Sequence, residues 1–255
     1  MDFIASASTD IGIAKDTNQD SFSVKLFSTR LGNIAFAVLC DGMGGLSKGE
    51  VASATVVSAF NKWAADRLPI LCEHDIARED IFSEWNSLIK KCNEKIKRYG
   101  AANGVSLGTT VTALLITEKK YFAVNVGDTR AYEIADFVTL ITRDQTVVAR
   151  EVELGMITEE QAKCDPRRSV LLQCVGASDT VEPDMFFGDT RNDTVYMLCS
   201  DGFRHEVSND ELYSYLNPKI MCDSGQMKEN MNLLIELNKQ RRERDNISVI
   251  TIRSL

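Results

Sequence analysis

A short stretch in the first fifth of the chain raises the central question about fold and function. Residues 38–50 read VLCDGMGGLSKGE, an apolar run that ends at a carboxylate and leads into a glycine-rich turn. Such turns often bind phosphate through backbone N–H groups, but the charge of Asp41 repels phosphate. Ser47 also replaces the glycine that both common phosphate-binding loops require at that position. The stretch therefore predicts a strand end that faces a cation, with Gly44, Gly45 and Gly49 forming the turn into a helix.

Composition restricts the class of protein. The 255 residues are 44% hydrophobic and 26% charged, with a net charge of −8, as in an ordinary globular protein. The acidic balance argues against a nucleic-acid partner. No apolar run approaches the roughly 18 residues of a spanning helix, so no membrane partner is expected. The N-terminus lacks the basic segment of a signal peptide, which predicts a cytoplasmic location.

The seven cysteines do not suggest a metal site. Their number is odd and no pair has C-x-x-C spacing, so a thiolate zinc site is not predicted. Several lie inside apolar runs, which is typical of reduced, buried cysteines in a reducing compartment.

Hydrophobic periodicity predicts a mixed α+β protein. Strands are expected at residues 22–27, 34–40, 110–117, 121–126, 130–134, 138–142, 194–199 and 247–252, and helices at 48–67, 75–99, 208–216 and 225–242. The third helix begins with a capping box formed by Ser208 and Glu211. Because the strands come mostly in neighbouring pairs, we expect antiparallel sheet covered by helix pairs. The polar, partly helical stretch at about 143–175 is a candidate flap, and no linker divides residues 1–255, which predicts a single domain.

Five aspartates fall at strand ends: Asp20, Asp41, Asp128, Asp201 and Asp245. Each alone is readily explained as a turn residue. As a set, they could gather at one edge of a sheet, where their charges repel unless a cation joins them. Oxygen ligands without nearby His or Cys favour Mg²⁺ or Mn²⁺, and Gly42 would let the backbone approach the ion.

Eight motifs extend these observations to a family. The chain resembles the bacterial branch of the metal-dependent Ser/Thr phosphatases of the protein phosphatase 2C (PP2C, PPM) type. The motifs occur in the family's order at residues 9–22, 38–53, 107–116, 121–134, 140–148, 154–176, 196–203 and 244–252. The resemblance implies an α-β-β-α sandwich of two antiparallel sheets flanked by helix pairs, with the metal centre at one end between the sheets.

The resemblance also implies roles for the aspartates. Asp41 would bridge two Mn²⁺ or Mg²⁺ ions, Gly42 would offer its carbonyl to one, and Asp201 and Asp245 would hold the other. Asp20 would support the site. Many bacterial members bind a third ion, whose ligand here would be Asp128. Asp41, Asp201 and Asp245 are thus the expected catalytic metal ligands of a hydrolase in which a water between the ions attacks phosphorus directly.

The implied partners are phosphoserine and phosphothreonine proteins, together with a cognate Ser/Thr kinase. Two positions depart from the family: Gln19 stands where an acidic residue often precedes the aspartate, and Lys15 replaces the arginine that clamps the substrate phosphate, so the charge stays but the bidentate fork is lost. Lys15 is therefore the fourth expected catalytic residue. It is also the only feature favouring an alternative, a pseudophosphatase that binds phosphoproteins without hydrolysis.

Other catalytic chemistries find little support. With only His74 and His205, a Ser-His-Asp triad has few candidate residues. His205 follows Asp201 closely and could lie near the site, but we assign it no catalytic role. Cys92 and Arg98 have the C-x5-R spacing of cysteine phosphatases, yet they lie in a predicted charged helix where no phosphate loop can form. A Mg²⁺-dependent nucleotide-binding protein would need a phosphate cradle that the sequence lacks.

Overall fold

The computed structural model describes residues 1–43 and 48–255. Over this part the chain forms two antiparallel five-stranded sheets. The first has the strand order β1 (Phe3–Asp10), β10 (Ile247–Ser254), β9 (Thr194–Cys199), β6 (Arg130–Ile134) and β7 (Val138–Leu140). The second has the order β2 (Ser21–Thr29), β3 (Gly32–Cys40), β4 (Val111–Ile116), β5 (Lys120–Val126) and β8 (Asp184–Asp189).

Seven helices occur among the described residues; the first two cover the outer face of the second sheet and the last two that of the first. They are α1 (Gly49–Leu71), α2 (Arg78–Asn103), α3 (Val147–Glu153), α4 (Glu159–Cys164), α5 (Asp201–Arg204), α6 (Asn209–Leu216) and α7 (Ser224–Gln240). None of the helices among the described residues is long and apolar enough to cross a membrane.

Three apolar layers hold the sandwich together. Between the sheets lie side chains that include Leu39, Leu114 and Ile250. A second layer packs α1 and α2 against the second sheet around Phe36 and Trp85. The third, a methionine-rich layer, packs α6 and α7 against the first sheet. Because both faces of each sheet are covered, central strands such as β4 and β9 are buried along their whole length. The predicted α-β-β-α sandwich is confirmed.

Two strands were missed by the sequence analysis. Strand β1 reads FIASASTD, and its alternation depends on alanine and serine rather than on large apolar residues. Strand β8 reads DMFFGD and contains both glycine and aspartate, which are poor strand formers. Both are edge strands whose pairing with a neighbour outweighs this weak local preference.

Helix bounds differ most where glycine or proline suggested an early end. Helix α1 continues through Pro69 to Leu71 rather than ending at Arg67, with Pro69 in its last turn. Helix α2 runs past the buried Gly100 and ends at Asn103, before Gly104, which adopts the left-handed conformation of a helix terminus. The predicted capping box of α6 is present. The turn predicted for Gly44 and Gly45 lies outside the described residues.

The polar excursion predicted at about 143–175 is partly helical, as expected. It contains α3 and α4 and belongs to neither sheet. An isolated bridge between Thr146 and Leu171 closes its base, and another joins Val175 to Thr109. The excursion therefore begins beside Gly127, which follows β5, and ends beside Thr109, which precedes β4 at the end of the sandwich that carries Asp41.

Candidate metal centre

Strand direction and register bring the five aspartates to the same end of the sandwich. In the second sheet, Ser21 pairs with Cys40, so Asp20 and Asp41 lie side by side just beyond the paired residues. In the first sheet, Cys199 pairs with both Arg130 and Val249. This pairing brings together the strand ends that precede or follow three further aspartates: Asp128, Asp201 and Asp245.

The backbone around Asp41 is held in place by two threonines. The N–H of Asp41 donates to the Thr110 hydroxyl at 2.9 Å. Its carbonyl accepts from the Thr109 hydroxyl and the Thr110 N–H, both at 2.9 Å. A side chain on Gly42 would lie 2.5 Å from the Gly49 carbonyl oxygen and 2.6 Å from that of Gln19. Only glycine fits there, so the backbone next to Asp41 can lie this close to its neighbours.

Asp20 and Asp41 are half-buried residues that lack an ion-pair partner among the described residues. Neither side chain makes an ion pair with any described residue, and both oxygens of Asp20 are buried without a hydrogen-bond partner there. Burial and the negative charges of Asp201 and Asp245 raise the pKa of Asp20 to about 7. The hydroxyls of Ser248 and Ser200 are near enough to lower this pKa in part, but neither is placed for a hydrogen bond.

Asp41 interacts with all the other aspartates of the group. Burial raises its pKa well above the usual value, and the charges of Asp20, Asp201, Asp245 and Asp128 raise it further. The five carboxylates are thus within electrostatic reach of one another. Among residues 1–43 and 48–255, however, no three acidic, His or Cys side chains already close around a single ion position.

Asp201 and Asp245 have more partners. One oxygen of Asp201 is buried without a partner in the described chain, and the other lies 3.4 Å from the Ser169 hydroxyl and 3.5 Å from His205 Nε2. Oδ1 of Asp245 accepts the Asn246 N–H at 2.8 Å and lies 2.8 Å from Lys15 Nζ. Asp201 Oδ1 therefore remains without a partner in the described chain, whereas Asp245 Oδ1 is already held by Asn246 and Lys15.

Lys15 lies in the group, as the sequence analysis expected. Burial lowers its pKa, but the hydrogen bond to Asp245 and the charges of Asp245, Asp41 and Asp201 raise it by more. The ammonium therefore stays charged at the edge of the aspartate cluster. The side chain is 34% exposed, so it can also meet a ligand that arrives from solvent.

Asn246 fixes the segment that carries Lys15. Its side chain donates to the carbonyls of Ile11 and Thr17 and accepts the N–H of Gln19 at 2.9 Å. Its backbone N–H is also the group that holds Asp245. Asn246 therefore links the end of β10 to the loop between β1 and β2, which places Lys15 beside Asp245.

Asp128 faces a cation that the protein itself supplies. Arg204 Nη2 lies 3.7 Å from its carboxylate and donates to its carbonyl at 3.2 Å. The same nitrogen lies 3.2 Å from Asp144, which also accepts two hydrogen bonds from Arg130. Burial and Asp201 still raise the pKa of Asp128 to about 7, although Arg204 opposes them.

Several residues of this network were missed by the sequence analysis. Asp144 lies in the matched motif at residues 140–148 but was given no role. Arg204 and Glu243 stand three residues after Asp201 and two before Asp245, and a charged residue so near a strand-end carboxylate was the available signal. His205 lies beside Asp201, a position that the sequence left open.

The observed donors suit a hard divalent cation. The group offers carboxylate oxygens, two of them wholly unpartnered in Asp20, and a close backbone approach at Gly42. Cys40, the cysteine nearest in sequence to Asp41, does not offer a thiolate, because burial raises the pKa of its thiol well above the usual value. Carboxylate and carbonyl oxygens are the ligands that Mg²⁺ and Mn²⁺ prefer.

Comparison with known proteins identifies the family of this chain. The family model for protein phosphatase 2C matches residues 13–223. A Streptococcus pyogenes protein described as protein phosphatase 2C-type is 31% identical over 251 residues, which cover 97% of this chain and 96% of that protein.

Two solved structures share the fold. Serine/threonine phosphatase Stp1 from Staphylococcus aureus has a TM-score of 0.83 and 29% identity, over 98% of this chain and 94% of that one. The catalytic domain of serine/threonine protein phosphatase PstP, solved with two manganese ions, has a TM-score of 0.78 and 27% identity, over 98% and 97%. The resemblance inferred from the eight motifs is confirmed: the chain belongs to the protein phosphatase 2C family.

Proposed function

We propose that this chain is a metal-dependent protein serine/threonine phosphatase that acts as a single domain over residues 1–255. The observation that carries the proposal is the Asp20 carboxylate, whose two buried oxygens have no partner in the described chain, beside Asp41, which forms no ion pair there. Burying ionised carboxylates is costly unless a cation compensates them. PstP holds two manganese ions in its solved structure, and Mn²⁺ or Mg²⁺ is the cofactor we propose here.

The residues that would hold the ions follow from the family pattern. Asp41 would contact two ions, Gly42 would offer its carbonyl to one, and Asp201 and Asp245 would hold the other. Asp20 would support the site with its two free oxygens. Asp128 would take part in holding a third ion. When bound, such ions lower the pKa of a shared water and stabilise negative charge on a phosphoryl group.

The chain's own residues orient the substrate. Lys15 carries a positive charge at the open edge of the aspartate cluster, where it can bind a phosphoryl oxygen of phosphoserine or phosphothreonine. Thr109 and Thr110 keep the Asp41 backbone fixed, and Asn246 keeps the Lys15 loop in place. This support pre-organises the site before substrate arrives.

Substrates and location follow from the same proposal. The substrates are proteins phosphorylated on serine or threonine, among them a cognate Ser/Thr kinase and its targets. The seven free cysteines support action in a reducing compartment such as the cytoplasm.

A second candidate function is favoured by one observation. Lys15 already forms a 2.8 Å ion pair with Asp245, so its charge is partly neutralised before a phosphate arrives. A protein that binds phosphoproteins weakly and hydrolyses them poorly or not at all would have this feature. The alternative is therefore a pseudophosphatase that acts as a phosphoprotein-binding module.

Hydrolysis assays separate the two functions. p-Nitrophenyl phosphate and a phosphothreonine peptide are assayed with Mn²⁺, Mg²⁺ or EDTA, using the wild type, Asp201→Asn and Asp189→Asn. Asp189 lies at the opposite end of the sandwich, in an exposed pair with Lys120, and is the matched control. We expect turnover that EDTA and Asp201→Asn abolish and that Asp189→Asn retains. Folded, Mn²⁺-loaded protein without turnover would contradict the enzyme and favour the binding module.

A further inference from the structure

A buried glutamate outside the aspartate cluster organises the approach to Asp245. Glu243 is 7% exposed and follows α7. Its Oε1 accepts the N–H of Arg244 at 2.6 Å and that of Asp245 at 2.9 Å. Its own N–H donates to the Asn238 carbonyl at 3.0 Å. One carboxylate therefore fixes the two peptide groups that lead into Asp245.

His205 connects this glutamate to Asp201. Its ring lies with Nδ1 3.2 Å from Glu243 Oε2 and Nε2 3.5 Å from Asp201 Oδ2. The side chain is only 10% exposed, so little water competes for either nitrogen. The His205 backbone N–H also donates to the Asp201 carbonyl at 3.0 Å, which keeps the ring one helical turn from that carboxylate.

A second contact joins the backbone of α5 to α7, independently of His205 and Glu243. The Asn238 side chain, on α7, donates to the Phe203 carbonyl, on α5, at 2.9 Å. Helix α5 and the segment after α7 are thereby joined both through Asn238 and through His205 and Glu243. The resulting contact path runs from the Asp201 carboxylate through two side chains to the Asp245 backbone.

We propose that His205 and Glu243 are positioning residues that hold Asp201 and Asp245 at the separation required to bind one divalent cation together. The inference rests on the proposed function, because it assumes that both aspartates are ligands. Groups that orient metal ligands through hydrogen bonds typically change metal affinity by about 10- to 100-fold when they are replaced. Neither residue needs to touch the substrate or the ion.

Calorimetric titration of the metal-free protein with Mn²⁺ tests the proposal without relying on activity. Glu243→Gln keeps the side chain's size but places an amide where one carboxylate oxygen was. His205→Ala removes the link, whereas His205→Asn keeps a donor near the Nδ1 position. We expect Mn²⁺ affinity to fall by about 10- to 100-fold in the first two variants and less in His205→Asn.

Glu211→Gln is the matched control. Glu211 is also a hydrogen-bonded glutamate of this half of the molecule, but its partners are Arg241 and Ser208. We expect this variant to keep Mn²⁺ affinity within about twofold, since it does not contact a ligand. The kinetic counterpart is a higher Mn²⁺ requirement in Glu243→Gln, with kcat restored by excess Mn²⁺.

The outcomes are distinguishable. One outcome is that Glu243→Gln and His205→Ala both bind Mn²⁺ as tightly as the wild type and lose only thermal stability, as Glu211→Gln does. That result would show that His205 and Glu243 only stabilise the fold, and it would overturn the inference. A wild-type protein that binds no Mn²⁺ would instead overturn the proposed function. Thermal unfolding in EDTA confirms that each variant is folded. If His205→Ala does not fold, the Mn²⁺ affinity of His205→Asn is compared with that of the wild type instead.

Discussion

Two acidic groups lie close together in this molecule, and they differ in whether arginine side chains neutralise them. Asp144 lies between two arginines, accepting two hydrogen bonds from Arg130 at 2.8 and 2.7 Å and one from Arg204 at 3.2 Å. Asp20 and Asp41, which are half-buried like Asp144, form no ion pair with any described residue, and both oxygens of Asp20 are buried without a partner there.

The ionisation of the two groups shows the consequence. Burial alone would raise the pKa of Asp144, but Arg204 and Arg130 hold it below its usual value. Without such partners, burial raises the pKa of Asp20 to about 7 and that of Asp41 well above its usual value. The comparison teaches that a buried carboxylate left without an internal cation marks the place where an external cation is expected.

The largest expected effect concerns the arginine-paired group. Asp144→Asn leaves the buried Arg130 and Arg204 without their shared counter-charge, and breaking a buried ion pair in this way costs about 3–5 kcal/mol. Chemical denaturation in EDTA measures the loss. Asp189→Asn, which removes an exposed pair, should leave the unfolding midpoint nearly unchanged. A loss below about 1 kcal/mol for Asp144→Asn would show that the arginines do not depend on Asp144.

A gain in the free energy of unfolding, rather than a loss, is expected when Asp20 is replaced. Asp20→Asn removes a carboxylate whose pKa is raised from about 4 to about 7, so at pH 8 it should stabilise the metal-free protein by about 2–4 kcal/mol. The same variant should lose most of the stabilisation that Mn²⁺ gives the wild type. The two denaturation curves, with EDTA and with Mn²⁺, should therefore converge. A destabilised metal-free variant would contradict the difference drawn between the two groups.

The pH dependence of stability sharpens the comparison. A carboxyl whose folded pKa is raised stabilises the protein at low pH, and this contribution is lost as pH rises from about 4 towards 7. Glu243 acts in the opposite sense, because its pKa is lowered to about 2 despite burial, by His205 and the Asp245 N–H, so its contribution is lost only in acid. We expect the Mn²⁺-induced rise in Tm to be larger at pH 8 than at pH 5.5. Equal rises at both values would contradict this account.

The smallest expected effect concerns Lys15 at the edge of the aspartate cluster. Lys15→Met removes one charge from a partly exposed site, so KM for a phosphothreonine peptide should rise by roughly 3- to 10-fold, with kcat changed less. Lys15→Arg restores a bidentate donor and should lower KM to or below that of the wild type. Steady-state kinetics at saturating Mn²⁺ measures both. An unchanged KM in Lys15→Met would mean that the lysine pairs with Asp245 but does not bind the substrate phosphate.

Much of this arrangement follows from local sequence. The strand-end aspartates and the long helices were predictable because apolar periodicity and turn residues act over short distances. The weakly patterned strands β1 and β8 were not, since their stability depends on pairing with a neighbour.

Some residues of the site were likewise predictable from local sequence, and others were not. Asp41 and Gly42 were identified from one stretch. The roles of Arg204, His205 and Glu243 depend on contacts across about 40 to 75 residues of chain, which spacing alone does not reveal.

The most direct test of the central claim is the position of the ions themselves. Crystals grown with Mn²⁺ and measured at the manganese absorption edge should show two anomalous peaks beside Asp41, one next to the Gly42 carbonyl and one shared with Asp201 and Asp245. Asp41→Asn crystals should lose both, while Asp144 stays bound to its arginines. Manganese absent from this cluster in an enzyme with Mn²⁺-dependent activity would contradict the account.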